Sequence, residues 1–120
     1  MKKMLLVMGL CWLAGCATAP SPAQIDAGDR GPLPENYKEI VQGWIHATLK
    51  DPYSVQDLEI TRPVPAAVYG KRAFRKFTVW AWQVDFSLNA KNGFGGYAGL
   101  TRYSIWVRDG KVIRSSLDHD

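Results

Sequence analysis

Cysteine is nearly absent from this chain. Its 120 residues include two, Cys11 and Cys16, both within the first sixteen positions. Nothing beyond residue 16 can therefore form a disulfide, a thiolate metal site or a cysteine nucleophile. Histidine is as scarce, with His46 and His119 alone. One falls on the polar side of a predicted helix and the other in the acidic tail Asp118-His119-Asp120, and both read as solvated side chains. There is no internal repeat. The longest apolar run, Met4 to Ala14, is too short to cross a bilayer as a helix, which takes about 20 residues.

What is present begins at that run. Lys2 and Lys3 precede it, and Leu13-Ala14-Gly15-Cys16 ends it. Positive start, short apolar stretch and small residues are the parts of an export signal. The tetrapeptide resembles the lipobox of bacterial lipoproteins. The resemblance implies cleavage before Cys16, a diacylglycerol on its thiol and acylation of the new amine. Residues 1–15 are then a signal peptide, and 16–33 the lipidated cysteine and a flexible tether rich in Ala, Pro, Ser and Gly. Residues 34–120 form a single periplasmic domain. With Ala17 rather than aspartate after the cysteine, the resemblance favours the outer membrane, facing the periplasm.

Charge is distributed unevenly. Removing Lys2 and Lys3 with the signal lowers the formal charge from +4 to +2. From Cys16 to Thr61 the chain is net −4, and from Arg62 to Arg114 it is net +8. A basic face of this kind meets anionic surfaces. In the envelope these are lipid headgroups, peptidoglycan carboxylates or acidic proteins, and the location argues against nucleic acid.

The periodicities predict an α+β domain: one N-terminal amphipathic helix packed on a four-stranded antiparallel β-meander. Tyr37, Ile40, Val41, Trp44, Ile45 and Leu49 make an apolar stripe over Asn36 to Lys50, with Asn36 and Glu39 spaced as a capping box. Pro52 ends it. Ser54 to Arg62 alternates as an edge strand, and Val64 to Lys71 reads as a loop behind Pro63 and Pro65. Trp80, Trp82, Val84, Phe86 and Leu88 form a strict alternating row from Phe74 to Ala90. Tyr103, Ile105 and Val107 alternate in the next strand, and Asp109-Gly110 signals a type I′ turn. Trp44, Trp80, Trp82 and Phe86 are the expected core.

A glycine-rich connection, Asn89 to Gly99, joins the two central strands. A phosphate-cradling loop needs a helix N-terminus after its glycines, whereas a strand follows here. The segment Leu49-Lys50-Asp51-Pro52-Tyr53-Ser54 together with Asn89-Ala90-Lys91-Asn92-Gly93-Phe94-Gly95-Gly96-Tyr97-Ala98-Gly99 resembles a group of small bacterial lipoproteins and periplasmic proteins, over roughly residues 37–113. That resemblance implies a small exported α+β domain and supplies no catalytic residue.

The candidate partner-binding residues are Lys91, Asn92 and Tyr97 in the loop, with Arg102, Trp106 and Arg108 on the outward face of the following strand. A tryptophan among arginines can stack on a sugar or anchor a protein. The expectation is a non-enzymatic, cofactor-free domain, anchored to the membrane at Cys16, that contacts an envelope protein or peptidoglycan. Two alternatives stand beside it. One is a small cell-wall hydrolase using Asp85 with Glu59 or Asp57, since such enzymes need paired carboxylates. The other is a surface-exposed structural or antigenic lipoprotein.

Overall fold

The computed structural model describes residues 19–118. Leu13 to Ala17, with the lipidation expected at Cys16, and His119 lie outside them. The elements are α1 (Pro22–Ala27), α2 (Tyr37–Thr48), a 3-10 turn (Pro52–Ser54), β1 (Gln56–Ile60), β2 (Val64–Arg72), β3 (Arg75–Asn89), β4 (Thr101–Arg108) and β5 (Lys111–Ser115). The domain is mixed helix and antiparallel sheet.

The sheet is built on β3. Its fifteen residues pair with β2 through Arg75 to Gln83, with β1 through Phe86 to Asn89, and with β4 through Trp82 to Leu88. Because the β4 pairing overlaps both of the others, β1 and β2 must follow one another along the opposite edge of β3. β5 extends the sheet beyond β4. The sheet therefore has five strands, not the four of a simple meander.

The additional strand is β2, where the sequence suggested a loop. Pro63 and Pro65 resemble breakers, but Pro65 lies on an outer strand, where its missing N–H is tolerated. Ala66 and Val68 are buried, with Ala67 half-buried between them and Pro65 and Tyr69 exposed on either side. The capping expected at Asn36 also differs. Its side chain makes no cap bond, and its carbonyl instead accepts from the Glu39 and Ile40 amides at 3.0 and 3.1 Å.

Two two-residue turns close hairpins. Asp109 and Gly110, with φ of 52° and 77°, join β4 to β5. Ala73 and Phe74, with φ of 52° and 68°, join β2 to β3. The left-handed region costs a residue with a Cβ about 1–2 kcal/mol, with aspartate and asparagine the tolerated exceptions, so the second turn, which has neither these nor a glycine, is strained in a way the first is not.

The core lies between α2 and one sheet face. Val41 and Ile45 of α2 pack with Val84, Phe86, Leu88, Ile105 and Val107, all buried. Trp44 flanks this core, its ring 5.5 Å from Phe86 and 5.4 Å from Tyr103. Trp80 and Trp82 do not belong to it. They continue the same face past the end of α2 and are half-buried.

Burial therefore ranks the apolar row. Ile105→Ala should lower stability by about 2–5 kcal/mol. Trp82→Ala should lower it by less than the ~3–5 kcal/mol of a fully buried tryptophan. Urea unfolding of the two variants checks that order. In the same assay Ala73→Asn with Phe74→Gly should raise stability by about 1–2 kcal/mol as turn strain is relieved.

Candidate functional site

The sheet face turned away from α2 carries the best-formed candidate site. Along β3, Gln83, Asp85 and Ser87 alternate with the buried row. Their register partners on β4 are Trp106, Ser104 and Arg102, and Glu59 of β1 lies opposite Ser87. Strand alternation thus gathers one polar row from three strands. All of these but Trp106 line an open cavity of about 560 Å³, whose wall includes Glu59, Thr61, Gln83, Asp85, Arg102 and Ser104.

Asp85 organises this cavity. Its Oδ1 accepts from Gln83 Nε2 at 2.8 Å and from Ser104 Oγ at 2.6 Å. Its backbone carbonyl accepts from the Thr61 amide and hydroxyl at 2.8 and 2.6 Å, tying the end of β1 to β3. Arg102 is exposed beside these groups. Glu59 and Asp85 share the cavity, whereas Asp57 is not among its lining residues. Asp57 instead occupies a bulge between Gln56 and Glu59 with φ of 55°.

The six residues singled out from the sequence divide into three groups. Arg102 lines the cavity, and Trp106 shares its face but is half-buried. Lys91, Asn92 and Tyr97 sit in the connection beyond the ends of β3 and β4. There the Lys91 ammonium lies 5.7 Å from the Tyr97 ring centroid. Asn92 holds the loop itself, its Oδ1 accepting from the Phe94 and Gly96 amides at 2.8 and 3.3 Å. Phe94 at the loop tip is fully exposed.

Arg108 serves the fold. One guanidinium nitrogen donates to the carbonyls of Asp29 and Trp80 at 2.7 and 2.8 Å. It thereby clamps a segment expected to be a flexible tether. From Ser21 onward that segment is folded. Ser21 and Gln24 form the capping box of α1, and Arg30 is buried. The Arg30 Nε donates to the Ala81 carbonyl at 3.1 Å, and its Nη2 to the Ile25 carbonyl. Its guanidinium stacks 5.5 Å from the Trp82 ring, and Trp82 Nε1 donates to the Gly31 carbonyl at 3.3 Å. This strap covers the tryptophans that α2 leaves open.

The polar row Gln83-Asp85-Ser87 was legible as the complement of the apolar row. Its partners on β1 and β4 were not, because register sets them. No protein family, curated protein or solved structure matches the chain. Among the described residues no helix is long and apolar enough to cross a membrane, and no group of three His, Cys, Asp or Glu side chains is arranged to hold a metal ion.

The strap makes a prediction of its own. A Cβ on Gly28 would clash with the Trp80 indole. Gly28→Val should therefore displace residues 19–31 while leaving the α2 core folded. Limited proteolysis should cut this variant near Arg30 well before the wild type, with a red-shifted tryptophan emission.

Proposed function

We propose that the chain is a lipid-anchored lipoprotein of the cell envelope. It is held at Cys16 in the outer membrane and faces the periplasm. Its single α+β domain, with the N-terminal amphipathic helix packed on the antiparallel sheet, is a non-enzymatic binding domain for peptidoglycan or an envelope protein. The observation that carries this reading is the open cavity on the outer sheet face. Amide and hydroxyl groups of Gln83, Ser87, Ser104 and Thr61 suit sugar hydroxyls and peptide amides, and the exposed Arg102 suits a carboxylate. Peptidoglycan presents all three. Trp106 on the same face offers a partly covered ring for stacking.

The folded strap supports the anchor's role. Four residues separate Cys16 from Ser21, a reach of at most ~18 Å over the five steps, so the domain stays close to the bilayer.

Arg102→Ala with Ser104→Ala should abolish co-sedimentation with purified peptidoglycan sacculi while circular dichroism is unchanged. Full binding by that folded variant, with no protein partner lost either, overturns the reading. After a high-salt wash that strips electrostatic contacts, Cys16→Ser should move the protein out of the membrane fraction, and retention there after the wash would remove the anchor. A hydrolase is the second reading, favoured by the presence of Glu59 and Asp85 in one cavity. It requires that purified sacculi be digested by the wild type and not by Asp85→Asn.

A further inference from the structure

The β2–β3 hairpin runs past the part of the sheet covered by α2, and its end carries features that the cavity does not use. Its apex reads Lys71-Arg72-Ala73-Phe74-Arg75-Lys76, and all six residues are exposed. No acidic residue occurs between Arg62 and Val84. Phe74, at the outermost point, is completely exposed. It is also one of two adjacent residues with a Cβ that the turn holds at positive φ. A turn selected for stability alone would use Asn-Gly or Asp-Gly, as Asp109-Gly110 does at the other hairpin. The chain accepts backbone strain and keeps an aromatic ring at the apex, and strain of this kind gathers at functional positions.

The arrangement has an order. The aromatic ring leads, and two cations follow on each strand. A bilayer presents its groups in the matching order of depth, with phosphates shallow and the apolar boundary deeper. Aromatic rings seat at that boundary, and basic side chains are drawn to anionic headgroups. Beside the apex, Val68, Phe77, Val79 and Ile113 line a cleft of about 590 Å³ together with Arg72 and Arg75, apolar surface next to cations once more. The strap leads to this end as well. Followed backward from Gly31 to Gly28, its contacts move from Trp82 through Ala81 to Trp80, toward the hairpin apex.

We infer that the β2–β3 hairpin is a membrane-docking element. It inserts Phe74 at the headgroup–acyl boundary of an anionic bilayer and binds lipid phosphates through Lys71, Arg72, Arg75 and Lys76. The inference does not rest on acylation of Cys16. Docking also orients the domain. The fifteen residues of β3 span about 50 Å, which carries the Asn89–Gly99 connection away from the membrane.

The test uses the chain with Cys16→Ser and with residues 1–15 exchanged for a cleavable export signal, so that no acyl group is attached. Sedimentation is measured with phosphatidylcholine vesicles, with and without phosphatidylglycerol. Binding is expected only to the anionic vesicles and should weaken with added salt. Each cation contributes roughly a fivefold factor in affinity, so Arg72→Gln with Arg75→Gln should bind about 25-fold more weakly. Ala73→Asn with Phe74→Gly relieves the turn and stays folded, yet it too should lose binding. An environment-sensitive fluorophore on Phe74→Cys should shift to the blue with anionic vesicles, while one on Phe94→Cys should not. Equal binding by the charge variant, no shift at position 74, or capture of an acidic protein without vesicle binding overturns the inference. Because no acyl group is present, none of these outcomes depends on Cys16.

Discussion

One strand bears the hydrogen bonding of three others. β3 serves β4 along one edge and both β1 and β2 along the other, which is possible only because it runs for fifteen residues. Strand alternation then acts over this whole length at once. One face of β3 supplies Val84, Phe86 and Leu88 to the core, and the other supplies Gln83, Asp85 and Ser87 to the cavity. A shift of one residue would exchange the two faces and bury the carboxylate of Asp85. Core, cavity and hairpin apex are thus three parts of one register.

That length also creates a problem which the strap solves. α2 is twelve residues long and covers only part of the apolar face. Trp80 and Trp82 continue beyond it and would present a large apolar patch to water. Residues 28–31 cover them through a glycine set against one indole, a guanidinium stacked on the other, and backbone carbonyls held by Arg108 and Trp82. A segment of Ala, Pro, Ser and Gly becomes ordered because the sheet offers it a surface, not because its own composition favours structure.

The domain then has two dissimilar ends. At one, a strained turn carries an aromatic ring among four cations. At the other, Asn89–Gly99 is closed by its own asparagine side chains and shows Phe94 and Tyr97 to solvent. The polar cavity lies nearer the second end. The proposed docking assigns the first end to a bilayer and leaves the second, with the cavity, free to meet a partner.

Local physics was enough for much of this. The apolar stripe of α2, the alternation of β3 and β4, and the Asp109-Gly110 turn each follow from residue type at a spacing, since 3.6 and 2 are properties of the backbone. Three features followed only from the tertiary structure. β2 was hidden because prolines at its start resemble a stop, and only its position at an edge makes them tolerable. The Ala73-Phe74 turn was hidden because neither residue prefers positive φ, and the paired strands impose it. Arg108 looked like a binding residue because charge in a strand suggests a surface, whereas its guanidinium reaches carbonyls at residues 29 and 80. The sequence by itself determined which faces are apolar and which polar. The tertiary structure decided which polar residues meet, because register and long-range contacts depend on pairing between segments that no local pattern records.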